Sequence, residues 1–195
     1  MPIPDYPLRT LTSPEHRQKA DELLAIRCQL GEAGAFDDLI ARWQPPLWTY
    51  VRRLAGQDDA ASEIVQDVWI RVIRGIPRMR DASKVGGWLF GIARRTLMDH
   101  LRDQYAGPPH IDAEMDELPA QEVNEEREDD VQELEEALAR LPIVEREILT
   151  LFYLQELSLA ETAATLQIPV GTVKSRLFRA RTMLRREMQG EGSPT

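Results

Sequence analysis

The chain of 195 residues is 43% hydrophobic, enough to fill one ordinary core or two small ones. No stretch approaches the roughly eighteen apolar residues of a membrane helix, and Met1 to Thr12 lack the basic-then-apolar build of a secretion signal, so membrane insertion and export are both set aside. A single cysteine, Cys28, permits neither an intrachain disulfide nor a cysteine metal cluster, and the expectation is a reducing, cytoplasmic setting.

The net charge of −9, taken as an average, argues against a polyanionic partner, but its distribution is uneven. Residues 1–33 carry four basic and five acidic side chains, 34–106 carry eleven and nine, 107–136 carry one and thirteen, and 137–190 return to eight and five. One acidic segment therefore hides two mildly basic ones. That segment also contains Gly107-Pro108-Pro109, Pro119 and the run Glu125-Glu126-Arg127-Glu128-Asp129-Asp130, a composition that cannot bury enough surface to fold alone. The expected organisation is a flexible N-terminus (1–14), a first domain (15–106), an acidic flexible linker (107–133), a second domain (134–189) and a flexible C-terminus (190–195).

The apolar spacing is helical throughout, and no run alternates with period two, so the fold class is all-α, two small helical domains joined by the linker. Leu23, Leu24, Ile26 and Leu30 mark a first helix over roughly Glu15 to Leu30. Phe36, Leu39, Ile40, Trp43, Leu47, Val51 and Leu54 mark a second, which Pro45-Pro46 should bend or restart and Gly56 should close. Asp58-Asp59 cap a third, with Ile64, Val65, Val68, Trp69, Val72 and Ile73 inward and Gly75 and Pro77 at its end. After a loop over Arg78 to Gly87, Trp88, Leu89, Ile92, Ala93, Leu97 and Leu101 recur at three- and four-residue steps, which turns Arg94, Arg95 and Arg102 toward the flanks and outer face.

The second domain begins with Leu134 to Leu141, then Pro142 as first residue of a helix carrying Ile148, Leu149, Leu151, Phe152 and Leu154. Ser158, with Glu161 three residues on, forms a capping box for a short helix through Leu166. Gln167-Ile168-Pro169 makes a tight connection to a last helix over about Val170 to Met188. Two helices joined by so short a turn make the helix-turn-helix pattern. On the last helix Val173, Leu177, Ala180 and Leu184 form one stripe, and Lys174, Phe178, Arg181 and Arg185 another, with Ser175, Arg179 and Thr182 beside it. From Gly171 to Arg186 there are six basic residues and no acidic one, the electrostatic footprint of a helix entering a DNA major groove. Arg and Lys can reach guanine acceptors or phosphates, Thr172 and Ser175 can donate to phosphate oxygens, and Phe178 can meet a thymine methyl or, as an aromatic on a helix, pack in a core. A basic amphipathic helix alone would equally suit a solvated surface. The capped helix before it and the Pro-containing turn favour DNA.

These residues carry a resemblance to the extracytoplasmic-function group of bacterial RNA polymerase sigma factors, in the sigma-70 family. "AFDDLIARW", "SEIVQDVWIRV" and "GWLFGIARRTLMDHLR", within Ala35 to Arg102, resemble sigma region 2, and "LARLPIVEREILTLFYLQELSLAETAATLQIPVGTVKSRLFRARTMLRR", within Leu134 to Arg186, resembles sigma region 4. The resemblance implies a transcription initiation factor that binds core RNA polymerase, through the clamp of the beta-prime subunit and the flap of the beta subunit, and directs it to promoter DNA. It implies region 2 reading and opening the minus-ten element, region 4 reading the minus-thirty-five element, and an anti-sigma factor as regulator, with no cofactor and no bond-making chemistry of its own.

By matching positions, Gln66 and Asp67 become the contacts to core polymerase, although Asp67 also reads as an ordinary solvated acid. Lys84, Trp88, Arg94 and Arg95 become the minus-ten residues, with the loop over 80–87 placed to accept a flipped base. Trp88 has the size and helical phase for burial as well as for stacking. Arg95 stands where the family usually has asparagine, and Gly91 where a basic residue is frequent, so Arg95 can contact phosphate instead of a base edge, and the minus-ten preference does not carry over from relatives. Thr172, Lys174, Ser175, Arg176, Phe178, Arg179 and Arg181 form the minus-thirty-five segment, Arg176 and Arg179 pointing partly sideways toward phosphate. The acidic linker would thread the polymerase toward the RNA exit path, occupying a basic channel until the transcript displaces it.

Two other classes of protein fit the sequence less well. A stand-alone helix-turn-helix repressor or response-regulator output needs a dimerisation element or receiver domain, and neither is evident. A metal-dependent nuclease needs clustered ligands. The acids lie mostly in the linker, and His16, His100 and His110 are scattered.

Overall fold

The computed structural model describes residues 14–105 and 128–189, so the expected termini and most of the linker lie outside the described residues. Those residues form eight α-helices and no strand: α1 (Pro14–Gln29), α2 (Ala35–Ala55), α3 (Asp58–Gly75), α4 (Val85–Tyr105), α5 (Glu128–Arg140), α6 (Ile143–Leu149), α7 (Leu159–Leu166) and α8 (Val170–Met188). Short 3₁₀ turns at Ile76–Arg78 and Ala82–Lys84 fill the loop before α4, and a π-helical turn over Thr150–Leu154 prolongs α6.

In the N-terminal half, α2, α3 and α4 pack on one another around Leu39, Leu47, Tyr50, Val51, Ile64, Val65, Leu89, Phe90 and Leu97, all essentially inaccessible. The rings of Trp43 and Tyr50 both meet Phe90 edge to face, with centroids 6.0 and 5.4 Å away, an arrangement that adds to their area burial. Gly56 ends α2 as the sequence indicates. Its φ of 81° is left-handed, a conformation glycine adopts without strain, and its N–H closes on Arg52 O at 2.9 Å. Pro45 and Pro46 do not restart α2, which runs on through them. Each proline removes a backbone donor, but buried Trp43, Pro46 and Leu47 hold that turn against the core, and tertiary packing outweighs the local propensity.

The loop expected over 78–87 is more ordered than its composition indicates. Asp81 caps the turn at Ala82–Lys84 through Ser83 N at 3.2 Å. Helix α4 begins at Val85, ahead of Trp88, because buried Val85 anchors its first turn. From the other side, the α1 side chain Gln29 donates to Ile76 O and Met79 O at 3.1 and 2.7 Å, fixing the entry to that loop.

In the C-terminal half, α5 starts at Glu128, inside the stretch assigned to the linker. A run of acids reads as tether by composition, yet acids also suit the first turn of a helix, where the dipole favours negative charge. Pro142 is the N-cap of α6 rather than its first helical residue. The capping box of α7 is present in both directions: Glu161 N donates to Ser158 Oγ (3.2 Å) and Ser158 N to Glu161 Oε2 (2.9 Å). Gln167, at φ 56°, turns the chain from α7 into α8.

The two halves are packed together, and their buried apolar side chains form one connected cluster. α4 lies against α7, and α2 against α6.

Candidate nucleic-acid interface

Two helices carry the basic side chains singled out from sequence, and the fold treats them differently. On α8, Val173, Leu177 and Ala180 are buried against the neighbouring helices, and Leu184, expected on the same stripe, is half-buried near the helix end. Lys174, Ser175, Phe178, Arg179, Arg181 and Arg185 are exposed, with Thr172 and Arg176 half-buried at the edges. Phe178 is 67% exposed, so it is not a core residue. With Arg181, Thr182 and Arg185 it lines a shallow depression on the open face. Pro169 gives α8 no side-chain cap, which leaves its first amides for an outside acceptor such as phosphate.

Several of these groups already have partners. Ser175 Oγ donates to Thr172 O at 3.0 Å and Thr182 Oγ1 to Phe178 O at 3.0 Å, so each hydroxyl proton is directed at the helix's own backbone. Arg179 Nε lies 3.3 Å from Oε1 of Glu145, a buried carboxylate on α6, which holds the guanidinium to one side of the stripe. Arg181 Nη1 donates to Tyr153 Oη at 3.2 Å. Tyr153 and Glu145 were not legible as site residues, because Tyr153 sits inside the apolar run Leu151–Leu154 and Glu145 in the first turn of α6, where an acid has a sufficient local explanation.

On α4, Arg95 is exposed and unencumbered apart from its proximity to Gly91, whose Cβ would stand 3.8 Å from Arg95 Nη1. Arg94 is not on the outer face. Its Nε reaches Oε1 of Glu147 on α6 at 3.0 Å, the same oxygen that accepts from Tyr50 Oη at 2.8 Å. The tertiary docking of the halves, invisible to helical phase, causes the difference. Burial, and secondarily the Glu147 charge, lift the Tyr50 phenol well above its ordinary range, so it stays a neutral donor to the carboxylate.

Trp88 is half-buried with its indole over the end of α3. A Cβ on Gly75 would lie 2.9 Å from the ring, so any larger residue there would push the indole from its seat. The ring serves as packing at least on that side. Lys84 is exposed, 2.8 Å from the Asp81 carboxylate. The hydrogen bond from Lys84, with that from Ser83 next, holds Asp81 below the usual carboxylate range. Gln66 and Asp67 are adjacent and both exposed on α3. Tightening the contact between halves, Arg53 Nε bonds Glu135 Oε2 (3.1 Å), Arg146 Nη1 bonds Arg53 O (3.0 Å), Arg17 pairs with Glu156 (2.9 Å) and Thr165 Oγ1 donates to Gly87 O (3.3 Å).

An all-helical chain ending in a capped helix-turn-helix, with an acid-free basic face on its second helix, defines the class of the molecule: a helical DNA-binding protein. Residues 39–106 match the family described as Sigma-70 region 2, and residues 131–184 that described as Sigma-70, region 4. The chain is 30% identical over 185 residues to the RNA polymerase sigma-H factor of Pseudomonas aeruginosa, covering 88% of this chain and 95% of that one. It is 33% identical over 184 residues to the ECF RNA polymerase sigma-E factor of Escherichia coli K12, covering 88% and 96%. The sigma factor RpoE of Bartonella quintana, solved with the anti-sigma factor NepR, superposes with a TM-score of 0.65 at 25% identity, covering 83% of this chain and 100% of that one. The chain belongs to the extracytoplasmic-function group of the sigma-70 family, and is a transcription initiation factor that directs RNA polymerase to promoters. Among the described residues no helix is long and apolar enough to cross a membrane.

Proposed function

We propose that the two basic helices divide promoter reading between them. The open face of α8 reads the minus-thirty-five duplex: Lys174 and Arg181 reach base edges, Phe178 meets a thymine methyl, Thr172, Arg176 and Arg179 contact phosphates, and Ser175 does so by turning its hydroxyl away from Thr172 O. The loop before α4, with Lys84, and α4, with Trp88, Arg94 and Arg95, take the minus-ten element and stabilise the opened strand. Gln66 and Asp67, exposed together on α3, dock on the clamp of the beta-prime subunit, and the C-terminal half meets the flap of the beta subunit. The protein works in the cytoplasm and performs no bond-making chemistry. It supplies positioning and strand separation, and the polymerase supplies catalysis. An anti-sigma factor, the kind of partner seen with the Bartonella relative, holds it inactive.

The observation carrying this reading is the exposure of Lys174, Phe178 and Arg181 on a helix whose opposite stripe is buried. The test is transcription in vitro with purified core polymerase on a promoter library, reading start sites by sequencing. Starts that depend on this protein and share two upstream elements are the expected result. Starts that persist unchanged when Lys174 and Arg181 are both alanine would remove the assignment of α8.

A further inference from the structure

Tyr153 lies outside the helix-turn-helix, yet its hydroxyl reaches the open face of α8. A π-helical turn puts it there. In that turn the N–H of Gln155 reaches back five residues to Thr150 O at 2.9 Å, one residue more than an α-helical step, with Thr150 and Leu151 buried on the inner side. Turns of this kind are frequent at functional sites. The ring of Tyr153 leans edge to face on half-buried Phe152, with centroids 5.0 Å apart, and the residue stays 48% exposed. Its hydroxyl has one partner, Arg181, whose Nη1 lies 3.2 Å from Oη. A guanidinium can only donate, so Oη is the acceptor of this bond and the phenolic proton is aimed elsewhere. Among the described residues that proton finds no acceptor. Accepting from a cation also polarises the phenol and makes it the stronger donor. The surface beside it is cationic: Arg181 and Arg185, one turn apart, line a shallow depression with Phe178 and Thr182, and α8 carries no acid before Glu187. A directed, unspent donor at the edge of such a face suits an anionic oxygen.

We propose that Tyr153 is a further contact to the minus-thirty-five backbone, its hydroxyl donating to one phosphate oxygen while accepting from Arg181. The inference rests on the reading that the open face of α8 meets that duplex. Arg181 keeps its other donors for a base edge, so one side chain reads the groove and orients the phenol on the strand beside it. Because Tyr153 belongs to the turn after α6, it grips the strand from a second element and so limits how far α8 can roll in the groove.

The test uses holoenzyme assembled from core polymerase and the full chain, on a synthetic promoter duplex in which each minus-thirty-five phosphate is replaced in turn by an uncharged methylphosphonate. Tyr153→Phe keeps the ring on Phe152, and unchanged melting of the free chain checks that the fold is kept. The expected result is an affinity loss of about tenfold in Tyr153→Phe, alike for all single-base variants of the duplex. The slope of log affinity against log salt should stay the same, because a neutral hydroxyl displaces no counterion. At one position the methylphosphonate should weaken the unaltered protein more, by about that factor, than it weakens Tyr153→Phe, a coupling that a merely structural tyrosine does not produce. Equal costs in both proteins at every position would overturn the proposal. So would a loss in Tyr153→Phe confined to duplexes carrying the base that Arg181 prefers, since the phenol would then act only by orienting Arg181. The double variant Lys174→Ala with Arg181→Ala separates these failures from that of the underlying reading. If it binds as the unaltered protein does, the face of α8 is not on the duplex; if it binds more weakly, the face is there and Tyr153 is no part of its grip.

Discussion

Helices α8 and α4 both place arginines on a face opposite an apolar stripe, yet one offers its basic face to solvent and the other spends its central arginine on a carboxylate from the far half of the chain. On α8 the flanking groups Glu145 and Tyr153 touch the edges of the stripe and leave Lys174 and Phe178 open. On α4, Arg94 is engaged and Arg95 is not. Basic residues at helical spacing thus establish which side of a helix is polar, and the packing of the remaining chain decides whether that side is available.

The sharpest way to break this contrast is within α8 itself. Leu177→Ala, on the buried stripe, should lower stability by about 2–5 kcal/mol in chemical denaturation, whereas its neighbour Phe178→Ala should change it by less than about 0.5 kcal/mol. Comparable losses would mean that Phe178 is structural and the face is not open. Next in size, Lys174→Ala or Arg181→Ala should each cost about 1–3 kcal/mol of minus-thirty-five duplex affinity and relax the preference at one position, measured by competition binding across single-base variants. Ser158→Ala, which removes the capping box that sets the approach to α8, should cost about 1 kcal/mol of stability. Arg179→Ala should weaken binding alike for all sequences and make the slope of log affinity against log salt shallower by about 1. Equal slopes in Arg179→Ala and Arg181→Ala would erase the distinction between positioning and reading.

The smallest effect belongs to the loop before α4. Asp81 titrates below its ordinary range because Lys84 and Ser83 bond its charged form. Its contribution is therefore full above the unfolded carboxylate value, near 3.9, and is lost as pH falls through the lower folded value. The Ser83 amide resonance, followed by NMR during an acid titration, should shift with that transition, and Asp81→Asn should abolish the shift.

What could be read from the sequence was what short range determines. The Ser158–Glu161 cap, the Gln167-Ile168-Pro169 turn and the stripe through Val173, Leu177 and Ala180 each involve residues a few positions apart, and all three are found where the spacing puts them. Pro45 and Pro46 misled because a local rule met a packed turn, and the acidic run misled because the same residues suit a linker and a helix start. The clasp of Tyr50, Glu147 and Arg94 joins residues 97 and 53 positions apart. No local pattern encodes it, since a tyrosine in a core and a glutamate in a helix each look complete alone. The open face of α8 was legible; the occupied state of Arg94 was not.

The turn at Gln167 bears on redesign. Its left-handed backbone, the capping box and the buried stripe set the angle of α8 without using Lys174 or Phe178. Scaffold and script are thus written largely on different residues, and positions 174 and 178 can be rewritten to address a new upstream element while the frame that presents them is left intact.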